Sequence, residues 1–423
     1  MLASRIHDAT VGPARLLMLP VGVPDVVSFR GSFESAPDLG ADDDIVLSVI
    51  ANLLDKGTAH RDRFALAEAL DDRGAQISFY ADGLRMGFSG RALRADLADV
   101  IALAAEQLRE PAFDPDEVEK ALVRAVAGVR RSLESTGGQA SGALSRRLYG
   151  PAHPNYALVP AEEIAALEAL TPDVVRDHHA AHVGSDDLTI TFAGDVDASA
   201  VESAVSAAFG DWAPHGRTPV FDTQASPEAP GRTVVEMADR RNLDVRLGHA
   251  VALRRDDPDF LATYAGIFAL GGNFSSRLMQ TVRDEQGLTY GIGASLGSAS
   301  VRHDAHLRVS VTLSQENVLR GIAATRAEVD AFVEEGVSEA TLAAVRTTLA
   351  GTHVVGMATT SGVAARLLVN AERGFDVGYL DRYPDLIHAL TPEAVTEAVR
   401  RHVRPDDLHE AIAGTMPTDA TAS

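Results

Sequence analysis

The chain has 423 residues, of which 46% are apolar and 23% charged, and its formal net charge is -22 at pH 7. That length suggests two or three domains with sizeable cores, and a surface this acidic repels phosphate backbones and anionic lipids, which sets aside nucleic acid and membrane partners. Cysteine is absent, so disulfides, thiolate nucleophiles and Cys-ligated metals are excluded.

From the N-terminus, Met1 to Asp8 lacks the apolar core of a signal peptide, and no long uncharged apolar stretch follows, so a cytoplasmic protein is expected. Val26 to Gly31 reads as a strand and Ile45 to Leu54 as a helix. Ile45, Val46, Val49, Ile50, Leu53 and Leu54 make that helix apolar nearly all round, which predicts burial, with Ser48 and Asn52 as a small polar spot on it. Ile77 to Tyr80 reads as a strand, and Ala95 to Leu108 and Asp114 to Leu133 as helices. Thr171-Pro172 caps and starts an amphipathic helix. This helix carries His178-His179-x-x-His182, a plausible metal face in isolation. Asp186-Asp187 then turns the chain into the strand Leu188 to Gly194.

This last unit is written twice. Leu170-Thr171-Pro172-Asp173 recurs as Leu390-Thr391-Pro392-Glu393, His182-Val183 as His402-Val403, Asp186-Asp187-Leu188 as Asp406-Asp407-Leu408, and Ala193-Gly194 as Ala413-Gly414. Four matches at one spacing of 220 residues argue for a duplicated domain. The second copy of the strand, Leu408 to Gly414, is more polar and is expected to fray into the tail. At the place of the histidine cluster the copy has Val399-Arg400 and shares only His402, which favours a solvated helix face there. Between the copies, Ala213 to Arg232 is rich in Pro, Gly, Ser and Thr, a linker composition. The expected division is a domain over 1–213, a linker over 214–232 and a second domain over 233–423. Runs of strands with helices laid on one face indicate an α+β class built of two homologous two-layer sandwiches.

The second half contains Leu270-Gly271-Gly272-Asn273-Phe274-Ser275-Ser276-Arg277-Leu278 and continues through Val282-Arg283-Asp284-Glu285-Gln286-Gly287-Leu288-Thr289-Tyr290. Locally this is a glycine turn leading into a capped helix, and no Gly-Lys-Ser/Thr makes it a phosphate loop. As a whole it closely resembles the second-domain signature of the M16 (pitrilysin/insulinase/processing-peptidase) zinc peptidases. Gly31-Ser32, Lys56-Gly57-Thr58, Ala67 to Leu70, Pro111 to Asp114 and Ala193 to Val196 follow in family order, so the resemblance covers nearly the whole chain. It implies sandwiches of the LuxS/MPP-like metallohydrolase type. It also implies that Arg283 and Tyr290, seven apart, are the family's pair of donors to a substrate carbonyl.

An active M16 chain carries His-x-x-Glu-His on its first helix and a further glutamate downstream. Anchored on Lys56-Gly57-Thr58, those positions fall on Ser48, Ala51 and Asn52, and the distal one at Gly128 or beside it. None supplies the imidazole, thiolate or carboxylate that zinc requires. No metal or other cofactor is expected in this chain, and zinc is expected in a partner. The pattern resembles the non-catalytic subunit of a heterodimeric M16 peptidase, which would bind unfolded peptide beside a zinc-bearing M16 subunit. The alternative is a peptidase-inactive binding or structural protein, such as a respiratory core-type subunit or a peptide carrier in cofactor maturation. The short Gly271-Gly272-Asn273 turn does not match the long glycine loop of the mitochondrial processing subunit and speaks against presequence processing.

Overall fold

The structure is a computed structural model that describes residues 1–35, 41–216 and 219–417, with the backbone alone for 41–43. Among these residues eleven strands form two sheets. The first contains β1 (His7–Val11), β2 (Ala14–Pro20), β3 (Val26–Glu34), β4 (Gln76–Asp82), β5 (Arg85–Leu93) and β6 (Thr189–Gly194), in the order β1-β2-β6-β3-β5-β4. The second contains β7 (Arg232–Glu236), β8 (Asn242–Val251), β9 (Thr289–Gly297), β10 (Ala305–Ser314) and β11 (His409–Gly414), in the order β7-β11-β8-β10-β9. Without the edge strand β1 the two orders are the same. Each sheet has one parallel pair, β2 with β6 and β7 with β11, and its remaining pairs are antiparallel. The duplication legible in four short matches therefore extends to the topology of both sheets.

The helices are α1 (Ala41–Ala51), α2 (Arg63–Asp71), α3 (Leu97–Arg109), α4 (Pro115–Ser132), α5 (Thr136–Leu148), α6 (Pro160–Ala169), α7 (Pro172–His182), α8 (Ala198–Phe209), α9 (Phe260–Gly271), α10 (Val318–Glu335), α11 (Glu339–Gly356), α12 (Thr360–Glu372), α13 (Tyr379–His388) and α14 (Pro392–His402). The duplicated helices α7 and α14 begin alike. Thr171 accepts from the Val174 amide at 3.3 Å, Thr391 accepts from the Ala394 amide at 3.2 Å, and proline occupies the first turn of each.

Packing divides the chain into two compact units, each drawn from three segments. One comprises Met1–Val129, Ala161–Phe221 and Thr352–Tyr383; the other comprises Arg130–Pro160, Asp222–Gly351 and Pro384–Ser423. Each unit thus holds one sheet and one helical segment from the opposite half of the chain.

In the first unit, alternation along the strands sends Met18 and Phe192 to one face and Leu17, Leu19 and Ala193 to the other. Phe192 meets Phe29 at 6.1 Å, and Phe88 stacks on Phe209 of α8 at 6.2 Å. Helix α12 covers the opposite face, with Val363, Ala364 and Leu367 packed on Leu17, Leu19 and Ala193. The Thr191 hydroxyl donates to the Ala364 carbonyl at 2.8 Å and fixes the helix along the strand. All six residues of β6 are buried, as expected for a strand covered on both faces.

In the second unit, α5 takes the corresponding place, with Ala143, Leu144 and Leu148 on Ala411 of β11. Here the expectation of a frayed last strand is corrected. β11 is an ordered, mostly buried strand between β7 and β8. Its polar residue Glu410 is paired by Arg232 at 2.8 Å and Arg326 at 3.1 Å, so the charge that suggested fraying is matched where the strand lies. Among the described residues no single helix is long and apolar enough to cross a membrane.

Candidate functional site

Helix α9 ends on the glycine turn for a steric reason. A Cβ on Gly271 would lie 2.1 Å from the backbone nitrogen of Ala294, so glycine alone lets the helix end rest on β9. The turn then locks itself. The Asn273 side-chain oxygen accepts from the Ser275 amide and hydroxyl, both at 3.0 Å, and the buried Ser276 hydroxyl donates to the Asn273 carbonyl at 2.6 Å. Phe274 is left pointing outward, 77% exposed.

The two arginines of this segment have different environments. Arg277 is anchored, donating to Glu328 at 2.9 Å and Glu335 at 2.6 Å on α10. Arg283 lies on a π-helical turn, Met279–Glu285, with Met279 and Val282 buried beneath it. Its guanidinium sits 5.7 Å above the Phe274 ring and 3.5 Å from Asp284, and the side chain is half-buried. Gly287, at φ +65°, closes the turn into β9, and its amide donates to the Arg283 carbonyl at 3.0 Å.

Tyr290 is 98% exposed on β9, the edge strand of its sheet. The register between β9 and β10 shifts at this point, from Val311 opposite Ile292 to Leu313 opposite Thr289. Tyr290 and Gly291 therefore bulge out of the ladder. The Thr289 hydroxyl fills the gap, donating to the Thr312 carbonyl at 2.6 Å and accepting from the Gly291 amide at 3.1 Å. A bulge re-aims a side chain, and here it presents a phenol to solvent beside the packed turn that carries Arg283.

In the other unit, α1 is buried through Ile45, Val46, Val49 and Ile50, and Leu53 and Leu54 are buried just beyond it. Ser48 and Asn52, expected as a polar spot within a buried helix, are exposed instead. The Asn52 amide NH₂ donates to the Ser48 carbonyl at 2.7 Å and so caps its own helix. Ala51 is buried, and Gly128 is half-buried within α4. A hydroxyl, a methyl, an engaged carboxamide and a glycine do not fit zinc. Among the described residues no group of three or more His, Asp or Glu side chains is gathered as a metal would need.

The segment His178-His179-x-x-His182 is not a solvated face, which corrects the expectation for it. His179 is buried, donates from Nε2 to the Leu108 carbonyl at 2.8 Å and packs edge-on against Phe113 at 5.2 Å. His178 and His182 are half-buried with rings 4.3 Å apart, and burial brings His178 down to about 4.

Residues 169–349 match the family described as the peptidase M16 inactive domain. That segment holds the signature read from the sequence as resembling the M16 peptidases. It is 25% identical to an uncharacterised zinc protease of Streptomyces coelicolor over 67% of this chain and 64% of that protein. It is 20% identical to the non-peptidase homolog YmxG of Helicobacter pylori over 95% of this chain and 91% of that protein. The crystal structure of a peptidase M16 inactive domain from Pseudomonas fluorescens superposes with a TM-score of 0.87 at 22% identity, covering 97% of this chain and 98% of that one. The matched segment is thus similar to an M16 domain of the inactive type. The signature holds two features that the sequence reading missed, the outward Phe274 and the bulge at Tyr290. A large aromatic inside a Gly-Gly-Asn…Ser-Ser turn was the available sign of the first.

Proposed function

We propose that this M16 chain is the non-catalytic, peptide-binding subunit of a heterodimeric zinc endopeptidase, lending Arg283 and Tyr290 to a zinc held by its partner. The observation that carries this reading is the contrast within one signature. Arg277 spends its donors on Glu328 and Glu335, whereas Tyr290 stands 98% exposed on a bulged edge strand and Arg283 is only half-buried. Guanidinium and phenol N–H and O–H groups are donors suited to a carbonyl oxygen that gains negative charge as an amide is attacked. The partner's metal and base would supply the hydrolysis. This chain would orient unfolded peptide and stabilise the developing oxyanion.

In the reconstituted pair, Arg283→Ala or Tyr290→Phe should lower turnover by a factor on the order of 10². Unchanged turnover in both variants would sink the role. The second reading is an inactive binding or structural protein, and likeness over most of the chain to a protein named a non-peptidase homolog favours it. The two readings part on one observation. Peptide hydrolysis must appear when a zinc-bearing M16 chain is added, or the binding reading stands.

A further inference from the structure

We propose that Phe274 is a positioning residue for Arg283, holding the guanidinium by its flat face so that its N–H edges stay free for a substrate oxygen. The inference rests on the reading of Arg283 as a donor to peptide. An arginine is normally fixed by carboxylates, and Arg277 shows that arrangement six residues earlier, with its donors taken by Glu328 and Glu335. Arg283 is held differently. Among the described residues its one ion pair, with Asp284, is loose at 3.5 Å, beyond a good hydrogen bond, and the Phe274 ring centre lies 5.7 Å from the guanidinium carbon. A ring face restrains a planar cation without occupying its donors.

The exposure of Phe274 agrees with this role. A phenylalanine 77% open to water contributes nothing to the core, yet its backbone is fixed by the Asn273, Ser275 and Ser276 bonds and by the contact of Gly271 with β9. The turn is rigid and presents the ring where Arg283 needs a surface.

Two measurements test the proposal. In the isolated chain labelled with ¹⁵N-arginine, the Arg283 Nε–H resonance, assigned by its loss in Arg283→Lys, should carry a ring-current shift. That shift should vanish in Phe274→Leu and return in Phe274→Tyr. In the complex with a zinc-bearing M16 chain, Phe274→Leu should lower kcat about two- to five-fold, the range of an exposed cation–π contact. KM and thermal midpoint should hold, and Phe274→Tyr should restore kcat. A resonance that ignores Phe274→Leu overturns the proposal. So does unchanged kcat in Phe274→Leu where Arg283→Ala is impaired, and that outcome leaves the function of Arg283 intact. If Arg283→Ala is itself silent, the reading of Arg283 as a donor falls and the catalytic part of this inference falls with it.

Discussion

Lowering the pH from 7 to 4.5 should weaken the unit built on the second sheet more than the other, and the size of the effect follows from three imidazoles. His153 is 2% exposed, its ring is stacked on Tyr149 at 4.2 Å, and its Nδ1 accepts from the Asn155 amide at 3.0 Å. Burial, with His303 and His306 nearby, brings it down to about 4. His306, 3.0 Å from the Tyr149 hydroxyl, is likewise brought down to about 4 by burial and by Arg308. In the other unit, His178 is brought down to about 4 by burial and by His182. An unfolded histidine takes its proton near pH 6.5, whereas these folded ones do not until about pH 4. The unfolded state therefore binds more protons between those values. Stability is fully present above about 6.5 and is lost as the pH falls, at up to about 1.4 kcal/mol per pH unit for each site. Complete protonation costs about 3 kcal/mol per site, against about 5–15 kcal/mol for a whole domain. Two such sites lie in the second-sheet unit and one in the first. The lowered carboxylates, such as Asp244, lose their contribution only below about pH 4, so the windows separate. Urea denaturation at pH 7, 6 and 5, with hydrogen exchange read on 143–156, 305–311 and 172–182, resolves the units. His153→Leu should cost stability at pH 7 through the orphaned Asn155 amide, yet flatten the slope by about one proton. A slope equal to wild type in that variant, or equal loss in both units, would refute the reasoning.

Substitution of Gly271 by valine forces a branched side chain onto the Ala294 backbone nitrogen, 2.1 Å from where its Cβ must stand. It should cost about 1–3 kcal/mol of stability by thermal or urea unfolding, and peptide turnover of the complex should fall because the Phe274 turn shifts. Arg277→Ala removes the pairs with Glu328 and Glu335 and should destabilise by about 1–2 kcal/mol, whereas Arg283→Ala should leave unfolding unchanged. Parallel denaturation curves of the two variants check that division of labour.

Much of the architecture was legible because it is written locally. Thr-Pro caps, strand alternation and the 220-residue repeat each depend on neighbours in sequence. What was not legible depends on partners distant in sequence. Glu410 makes β11 look frayed until Arg232 and Arg326 are brought to it. The packing of α5 on β11 and of α12 on β2 and β6 joins segments far apart in sequence, which no local pattern states. His179 reads as solvated until Leu108 offers its carbonyl. At the site, the signature named Arg283 and Tyr290. The bulge that turns Tyr290 outward is a property of register with β10, and the ring beneath Arg283 is a property of the turn's geometry. The mismatch of Ser48, Ala51, Asn52 and Gly128 with zinc is a matter of residue type, since none carries an imidazole, thiolate or carboxylate.

The most direct test is the zinc content of the purified chain, measured together with cleavage of a quenched fluorescent unfolded peptide, first alone and then with a zinc-bearing M16 chain. The account predicts zinc far below one ion per chain and no cleavage alone, with cleavage in the mixture that depends on Arg283 and Tyr290. One tightly held zinc per chain, with hydrolysis by the isolated protein, would contradict it.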